Sequence, residues 1–243
     1  MRHNLNRAIV VVILVCLIAS VIPWSGFPGV PRALAASCAQ DPGNLTTNGA
    51  MAGPGHPTPY GVVADGWNPF VVSTDPPIFA WVNNENAPGD PIMGSQYIWA
   101  DLDAFDAGIY QTITGLTPGI YYRFWLGYAL AAYDRDGQGN KRNNLIGRQV
   151  GIDLTGGTNP RLPSVGWGNV YWDGIAALNI SDLSMTFAAQ SSTATIFLRV
   201  VNNNVNNGRS KVWFDVVCMQ ALDPQPPSNP GTVFLPLVLS GAR

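Results

Sequence analysis

The sequence predicts an all-β chain, folded as an antiparallel β-sandwich. Glycine (26 residues) and proline (20 residues) are dense and spread along the whole chain. No segment longer than about ten residues keeps a helical apolar period without one of these breakers. Short alternating or β-branched runs recur instead, divided by turn residues, as strands with one buried face require.

Residues 1–35 are expected to be a signal peptide. Arg2 and Arg7 flank a polar start, Ala8 to Ile22 is almost unbroken apolar, and Ala33-Leu34-Ala35 offers the small residues that a signal peptidase reads. The apolar run is about 15 residues, short of the ~20 that a membrane-spanning helix needs. Pro23, Gly26, Pro28, Gly29 and Pro31 then break any helix. An uncleaved N-terminal anchor is the alternative. Cleavage after Ala35 leaves a mature chain with no transmembrane segment, secreted or held at the cell surface.

The strands are expected at Gly61–Val63, Phe70–Ser73, Phe79–Val82, Tyr97–Ala100, Gly108–Thr114, Ile120–Tyr133, Arg148–Asp153, Asn169–Trp172, Leu183–Ala188, Thr193–Asn202 and Lys211–Gln220. Leu116-Thr-Pro-Gly119 is a tight turn, since proline presets φ and glycine accepts φ > 0. It predicts a hairpin between the strand ending at Thr114 and the one starting at Ile120. Asn202 to Gly208, ending Asn206-Asn207-Gly208, predicts a second hairpin, pairing Ile196–Val201 with Val212–Val217. In the last strand Val212, Phe214 and Val216 alternate with Trp213, Asp215 and Val217. Both faces are apolar, so this strand is expected to be central or covered.

The sandwich domain is expected over residues 36–222, a length that can bury a full core. Residues 223–243 form a Pro-rich linker and a short apolar end, Val233 to Leu239, interrupted by Pro236 and too short to span a bilayer. An edge strand, a disordered tail and a sorting or attachment signal are the readings of that end. No internal repeat recurs at a fixed period.

Cys16 lies in the export signal, which leaves Cys38 and Cys218. An even pair in an exported chain reads as a disulfide, here joining the two ends of the folded region. Lipid attachment at Ala35-Ala36-Ser37-Cys38 is the alternative, set against by the ~15 residues that separate Cys38 from the apolar run.

Composition excludes several chemistries. Loss of Arg2, Arg7 and Arg32 leaves 10 basic against 15 acidic residues, net −5. Such a surface lacks the Lys/Arg patches of sequence-independent nucleic-acid binding. His56 is the single histidine of the mature chain, in a loop, so neither a serine triad nor a zinc site can be assembled. Asp101 and Asp103 would share one face of a strand, with Asp106 near, and could supply a carboxylate pair for glycoside hydrolysis, although such clusters at strand ends more often make turns. Asp134 to Asn140 has the alternating oxygens of a calcium loop, but Leu145 stands where the bidentate Glu belongs, and a hairpin loop is the better reading.

Aromatic residues remain. Sugars stack C–H faces on flat rings and give their hydroxyls to Asn, Gln, Asp and Arg. Trp125 and Trp213, set among apolar neighbours in long strands, read as core. Trp81 with Asn83, Asn84 and Glu85, and Trp99 with Gln96, Tyr97 and Asp101, are the candidate ligand-binding groups. Asn44-Leu-Thr46 and Asn179-Ile-Ser181 also fit the N-glycosylation pattern.

Five segments in order carry a resemblance. Asn44-Leu-Thr-Thr-Asn-Gly49 resembles the opening strand of galactose-binding-domain-like jelly rolls, the group that includes several carbohydrate-binding modules. Val63-Ala-Asp-Gly-Trp67 is similar to their second segment. Gly108 to Tyr122 is similar to their hairpin, in which a glutamine strand turns through Pro-Gly into a Tyr-bearing strand. Gly151-Ile-Asp-Leu-Thr-Gly-Gly157, within the stretch Arg148 to Arg161 and followed by Val165-Gly-Trp167, and Trp213-Phe-Asp215 complete the order. The resemblance spans roughly Asn44 to Leu222 and implies a sandwich of jelly-roll type, with Asp215 as a residue toward a structural calcium ion. Met51-Ala52 and Val216 depart from the acidic positions of the calcium-bearing members. The expected function is a secreted, non-catalytic module that binds glycan; a structural or adhesive surface-layer component and a glycoside-active enzyme are the alternatives.

Overall fold

The computed structural model describes residues 38–82, 94–134, 140–141, 145–172, 177–178, 183–205 and 208–223. The expected signal peptide, the residues between Asp134 and Asn140, the sequon at Asn179, and the apolar end lie outside the described residues. So do Asn83, Asn84 and Glu85.

The chain is a β-sandwich of jelly-roll type whose strand pairings are antiparallel save one. Its strands are β1 (Gly55–Thr58), β2 (Gly61–Ala64), β3 (Asn68–Val71), β4 (Ile78–Val82), β5 (Ser95–Asp101), β6 (Phe105–Thr114) and β7 (Tyr121–Asp134). They continue as β8 (Asn140–Lys141), β9 (Ile146–Asp153), β10 (Val165–Trp167), β11 (Ala177–Leu178), β12 (Ser184–Ala188), β13 (Thr193–Asn202) and β14 (Arg209–Ala221). One sheet has nine strands in the order β1-β2-β4-β5-β14-β7-β11, with β12 and β8 also on β7; the other has five, in the order β10-β9-β13-β6-β3. β14 lies between β5 and β7, the central place that its two apolar faces predict.

Two turns do something other than expected. The turn at Leu116–Gly119 joins β6 of the five-stranded sheet to β7 of the nine-stranded one, and the Asn202–Gly208 connection joins β13 to β14 across the same gap. Neither is a hairpin. Ile196–Val201 pairs with β6 and β9, and Val212–Val217 with β5 and β7. Turn chemistry fixes that the chain reverses at Gly119 (φ 84°) and Gly208 (φ 80°); it does not fix whether the strands then pair edge to edge or stack face to face. Asn169–Trp172 is not a strand either. Tyr171 makes one isolated bridge to Arg148, while β10 forms just before it.

Residues 44–49 form no opening strand, and 47–49 lie in a turn. Side chains there take over the ladder of β14. Asn44 Nδ2 and Thr46 Oγ1 both donate to the Val217 carbonyl (3.0 Å each), and Met219 N donates to Asn44 Oδ1 at 2.8 Å. Beside this clamp the Cys38–Cys218 disulfide closes, with Cα atoms 5.9 Å apart at a sequence separation of 180.

The main core lies between the sheets and includes Trp67, Ile98, Ile109, Phe124, Val150, Ile196, Leu198 and Phe214. Among the buried polar side chains there, Gln111 bonds through both its amide oxygen and its amide nitrogen. Gln111 Oε1 accepts from Thr47 N (2.7 Å), and its Nε2 donates to the Gly66 and Thr47 carbonyls (2.7 and 2.8 Å). Each sheet also carries a smaller cluster on its outer face: Tyr128, Leu130, Trp213 and the disulfide on the nine-stranded sheet, Phe70, Val165 and Phe197 on the five-stranded one.

At the middle of β7 and β14 the facing pattern slips. Phe124 and Leu126 point into the main core, and so do Ala129 and Ala131; on β14 the inward residues are Val212 and Phe214, then Val217 and Met219. Both strands thus change parity at the same place, opposite one another, so the register continues unbroken on either side. Val216 absorbs the change at φ 57°, an unusual conformation for a β-branched residue. Gly127 is needed there because a Cβ would sit 2.6 Å from Val216 Cγ1.

Candidate functional site

Alternation along β5 sends Ile98 and Ala100 into the core and leaves Tyr97, Trp99 and Asp101 on the outer face. On β14 the same rule puts Arg209, Lys211 and Trp213 outward. The register sets Asp101 opposite Arg209, Trp99 opposite Lys211, and Tyr97 opposite Trp213, with Ile78 of β4 on the other side of Trp99. Trp99 thus stands in a row across the sheet, Ile78–Trp99–Lys211–Ala132, which at ~4.8 Å per strand is about 15 Å long.

The electrostatics of this row are defined by one clamp. Arg209 Nε and Nη2 donate to the two Asp101 carboxylate oxygens at 2.8 and 3.0 Å. Held this way, the guanidinium lies 3.9 Å from the centre of the Trp99 ring, a cation–π contact. The Arg209 hydrogen bonds keep the Asp101 carboxyl below its ordinary pKa, assisted by the positive charges of Arg209 and Lys211 and opposed by burial. Arg209 and Asp101 stay accessible, with 42% and 56% of their side-chain surface exposed. Behind them the face closes over Tyr97, stacked on Trp213 at 4.9 Å, and over Leu130 and Tyr128. The open corner is therefore Ile78, Trp99, Asp101, Arg209 and Lys211.

The structure brings Trp99 and Asp101 together and puts Trp81 elsewhere. Trp81 follows Phe79 by two positions and shares its inward direction; it packs against the main core, and its Nε1 donates to the Met51 carbonyl at 2.7 Å. Gln96 also points inward and is buried, accepting from Ala64 N at 2.9 Å. Arg209, Lys211 and Ile78 were not among the sequence candidates. The alternation seen at Trp213 and Asp215, extended back along the strand, reaches Lys211 and Arg209; nothing in the sequence names Ile78 as the cross-strand neighbour of Trp99.

Asp215 is fully buried on β14, in register with Tyr128 of β7. Calcium takes six to eight oxygen ligands. Among the described residues no group of three or more His, Cys, Asp or Glu side chains comes together, so a cation at Asp215 would have to draw most of its ligands from backbone carbonyls. Asp101 and Asp106 do not meet: Asp101 lies on the outer face of the nine-stranded sheet, and Asp106, in register with Val201, lies on the outer face of the other.

The Arg148–Arg161 stretch builds scaffold. Asp153 is buried at the end of β9 and accepts from Thr155 N (2.8 Å), Thr155 Oγ1 (2.6 Å) and Ser164 Oγ (2.8 Å). Burial pushes its pKa up, but these bonds, with one from the Gly157 backbone, outweigh it and hold the carboxyl below its ordinary value. The loop returns as β10, which lays Trp167 against Gly151: a Cβ at Gly151 would fall 2.5 Å from the indole ring.

No protein-family model matches this chain, and no curated protein matches it. Solved structures similar to it include the enzymatically active domain of bacteriophage CBA120 tailspike protein 4, at 14% identity and a TM-score of 0.45 over 74% of this chain and 22% of that one. The module TmCBM61 in complex with β-1,4-galactotriose is similar at 10% identity and a TM-score of 0.40, over 74% of this chain and 99% of that one. The C-terminal family 22 carbohydrate-binding module of Clostridium thermocellum Xyn10B is similar at 9% identity and a TM-score of 0.38, over 74% and 96%. In the tailspike this chain corresponds to under a quarter of the length.

Proposed function

We propose that this protein is a non-catalytic carbohydrate-binding module, secreted or held at the cell surface, that takes glycan on the outer face of the nine-stranded sheet. The observation that carries the reading is the Trp99–Arg209–Asp101 clamp at the open corner of that face. An indole offers a flat apolar partner to the C–H face of a pyranose. The ion pair beside it offers carboxylate acceptors and guanidinium donors to ring hydroxyls, already ordered before the sugar arrives, which reduces the cost of binding.

Three features favour binding over hydrolysis. A glycosidase needs two carboxyl groups flanking one bond, about 5–10 Å apart; Asp101 and Asp106 stand on opposite faces. The general acid of such a pair needs a raised pKa, whereas that of Asp101 is lowered. Each of the two is occupied by an arginine. The Cys38–Cys218 disulfide supports export, since such bonds persist in oxidising compartments. Among the described residues no helix is long and apolar enough to cross a membrane.

A glycan-array screen of the purified chain, with Trp99→Ala beside it, tests the reading. Binding to at least one glycan that Trp99→Ala loses is the expected result. An array on which the wild-type chain binds nothing at millimolar glycan overturns it.

A further inference from the structure

We propose that the outer face of the five-stranded sheet is a second glycan-binding site, so that one chain is bivalent for polysaccharide. The proposal rests on the sugar-binding reading of the first face and extends it.

The constellation at the first corner occurs again on the opposite side of the molecule, built from different strands. Arg199 of β13 donates through Nε to Asp106 Oδ1 at 2.7 Å and through Nη2 to Asp106 Oδ2. Its guanidinium carbon lies 4.9 Å from the centre of the Trp167 ring. This is again an arginine clamped by an aspartate and set over a tryptophan, on the face of a sheet that points away from the main core. Nothing in the topology relates the two: Asp101 and Arg209 come from β5 and β14, Asp106 and Arg199 from β6 and β13.

The second cluster is more tightly organised. Gln149 Oε1 accepts from Arg199 Nη1 at 3.1 Å, while Gln149 Nε2 donates to the Gly168 carbonyl at 2.7 Å, which fixes the amide. Three of the five guanidinium N–H groups are thereby used in described contacts, and two remain for a ligand. Trp167 is half-buried, wedged between Gly151 and the Phe197 ring at 5.6 Å. Tyr110, also half-buried, lies on the other side of Phe197 at 5.9 Å. Arg199 and Asp106 keep 23% and 22% of their side-chain surface exposed. The ring edge, the guanidinium and the carboxylate therefore reach solvent together, in an arrangement whose entropy of ordering is already spent in folding. The chemical class it fits is the same: a pyranose with adjacent hydroxyls, one donating to Asp106 and one accepting from Arg199.

Titration calorimetry of the full chain with the tetrasaccharides of β-1,4-galactan, β-1,4-glucan and polygalacturonate tests the proposal. At least one is expected to fill two sites per chain. Trp99→Ala should leave one site and Arg199→Gln the other, each weakening its own site about tenfold or more; Arg199→Gln keeps part of the aliphatic stem and removes the guanidinium, and a melting curve checks that it folds. The wild-type chain, and neither variant, should precipitate the parent polysaccharide. A single site that Trp99→Ala removes and Arg199→Gln leaves intact overturns the second site and spares the first. A melting temperature lowered by Arg199→Gln with the stoichiometry unchanged also overturns it, since the cluster is then structural. No heat from the three sugars, together with no binding to any glycan of the array, overturns the sugar-binding reading and this proposal with it.

Discussion

Arg209 lies over the ring of Trp99, 3.9 Å from its centre, because both oxygens of Asp101 hold the guanidinium there. The three residues come from facing positions of β5 and β14, so the sheet register sets their geometry. Glycan affinity should depend on the clamp and not only on the indole. Asp101→Asn keeps the shape, removes the charge, and should weaken binding roughly tenfold, the scale of one charge-assisted hydrogen bond. The pair is well exposed, so the melting temperature should move little. Calorimetry and a thermal melt on the same sample read both.

The Asn44 clamp and the disulfide should act on stability. Asn44→Ala removes donors to Val217 O and Ala39 O and acceptors for Met219 N and Thr46 N. A loss of about 2–3 kcal/mol is expected, most of it from groups left unpaired in a partly buried seam. Denaturant titration should show a lower midpoint with an unchanged slope. Reducing Cys38–Cys218, which closes a loop of 180 positions, should cost about 2–5 kcal/mol. A melt with and without reductant measures it.

Gly108 has no room for a side chain. A Cβ there would stand 1.9 Å from the Leu198 carbonyl oxygen and 2.7 Å from the Phe70 ring. Backbone cannot yield as a flexible side chain can. Gly108→Ala should therefore destabilise by about 3 kcal/mol or more, with soluble yield and circular dichroism as the readouts.

The acid limb of stability should pass through Asp153. Its folded pKa is lowered, because bonds from Thr155, Ser164 and Gly157 outweigh the burial that would raise it. The unfolded chain then binds this proton more readily, and its stabilisation is present above the unfolded value, about 3.9. It is lost as pH falls from there through the folded pKa. Asp153→Asn should lower stability at neutral pH by about 1.5–3 kcal/mol and flatten the fall below about pH 4. Urea midpoints measured across pH for both proteins test this.

Much of the fold was legible from residue order. Alternation and β-branching located the longer strands between Gly61 and Gln220, though they placed a strand at Asn169–Trp172 where only one bridge forms, and the even cysteine pair indicated the disulfide. Sheet membership was not legible. The Pro-Gly turn after Leu116 and the Asn-rich segment before Gly208 reverse the chain, but whether β7 lies beside β6 or across the core depends on which distant strands complete each sheet. β1, β8, β10 and β11 are too short, at two to four residues, to leave a periodic signal. In the site, Trp81 is expected at the surface, yet it has the parity of the buried Phe79 and turns inward with it. The partnership of Arg209 with Trp99 and Asp101 is separated by more than a hundred positions and follows only from the β5–β14 register.

The most direct measurement follows the tryptophan indole N–H signals by NMR while a glycan from the array is added. Trp99 should shift. The signals of Trp67 and Trp81, whose Nε1 groups are tied to the Asn48 and Met51 carbonyls, should stay in place. Saturating glycan that leaves the Trp99 signal unmoved would contradict the assignment of the nine-stranded sheet's outer face as the binding site.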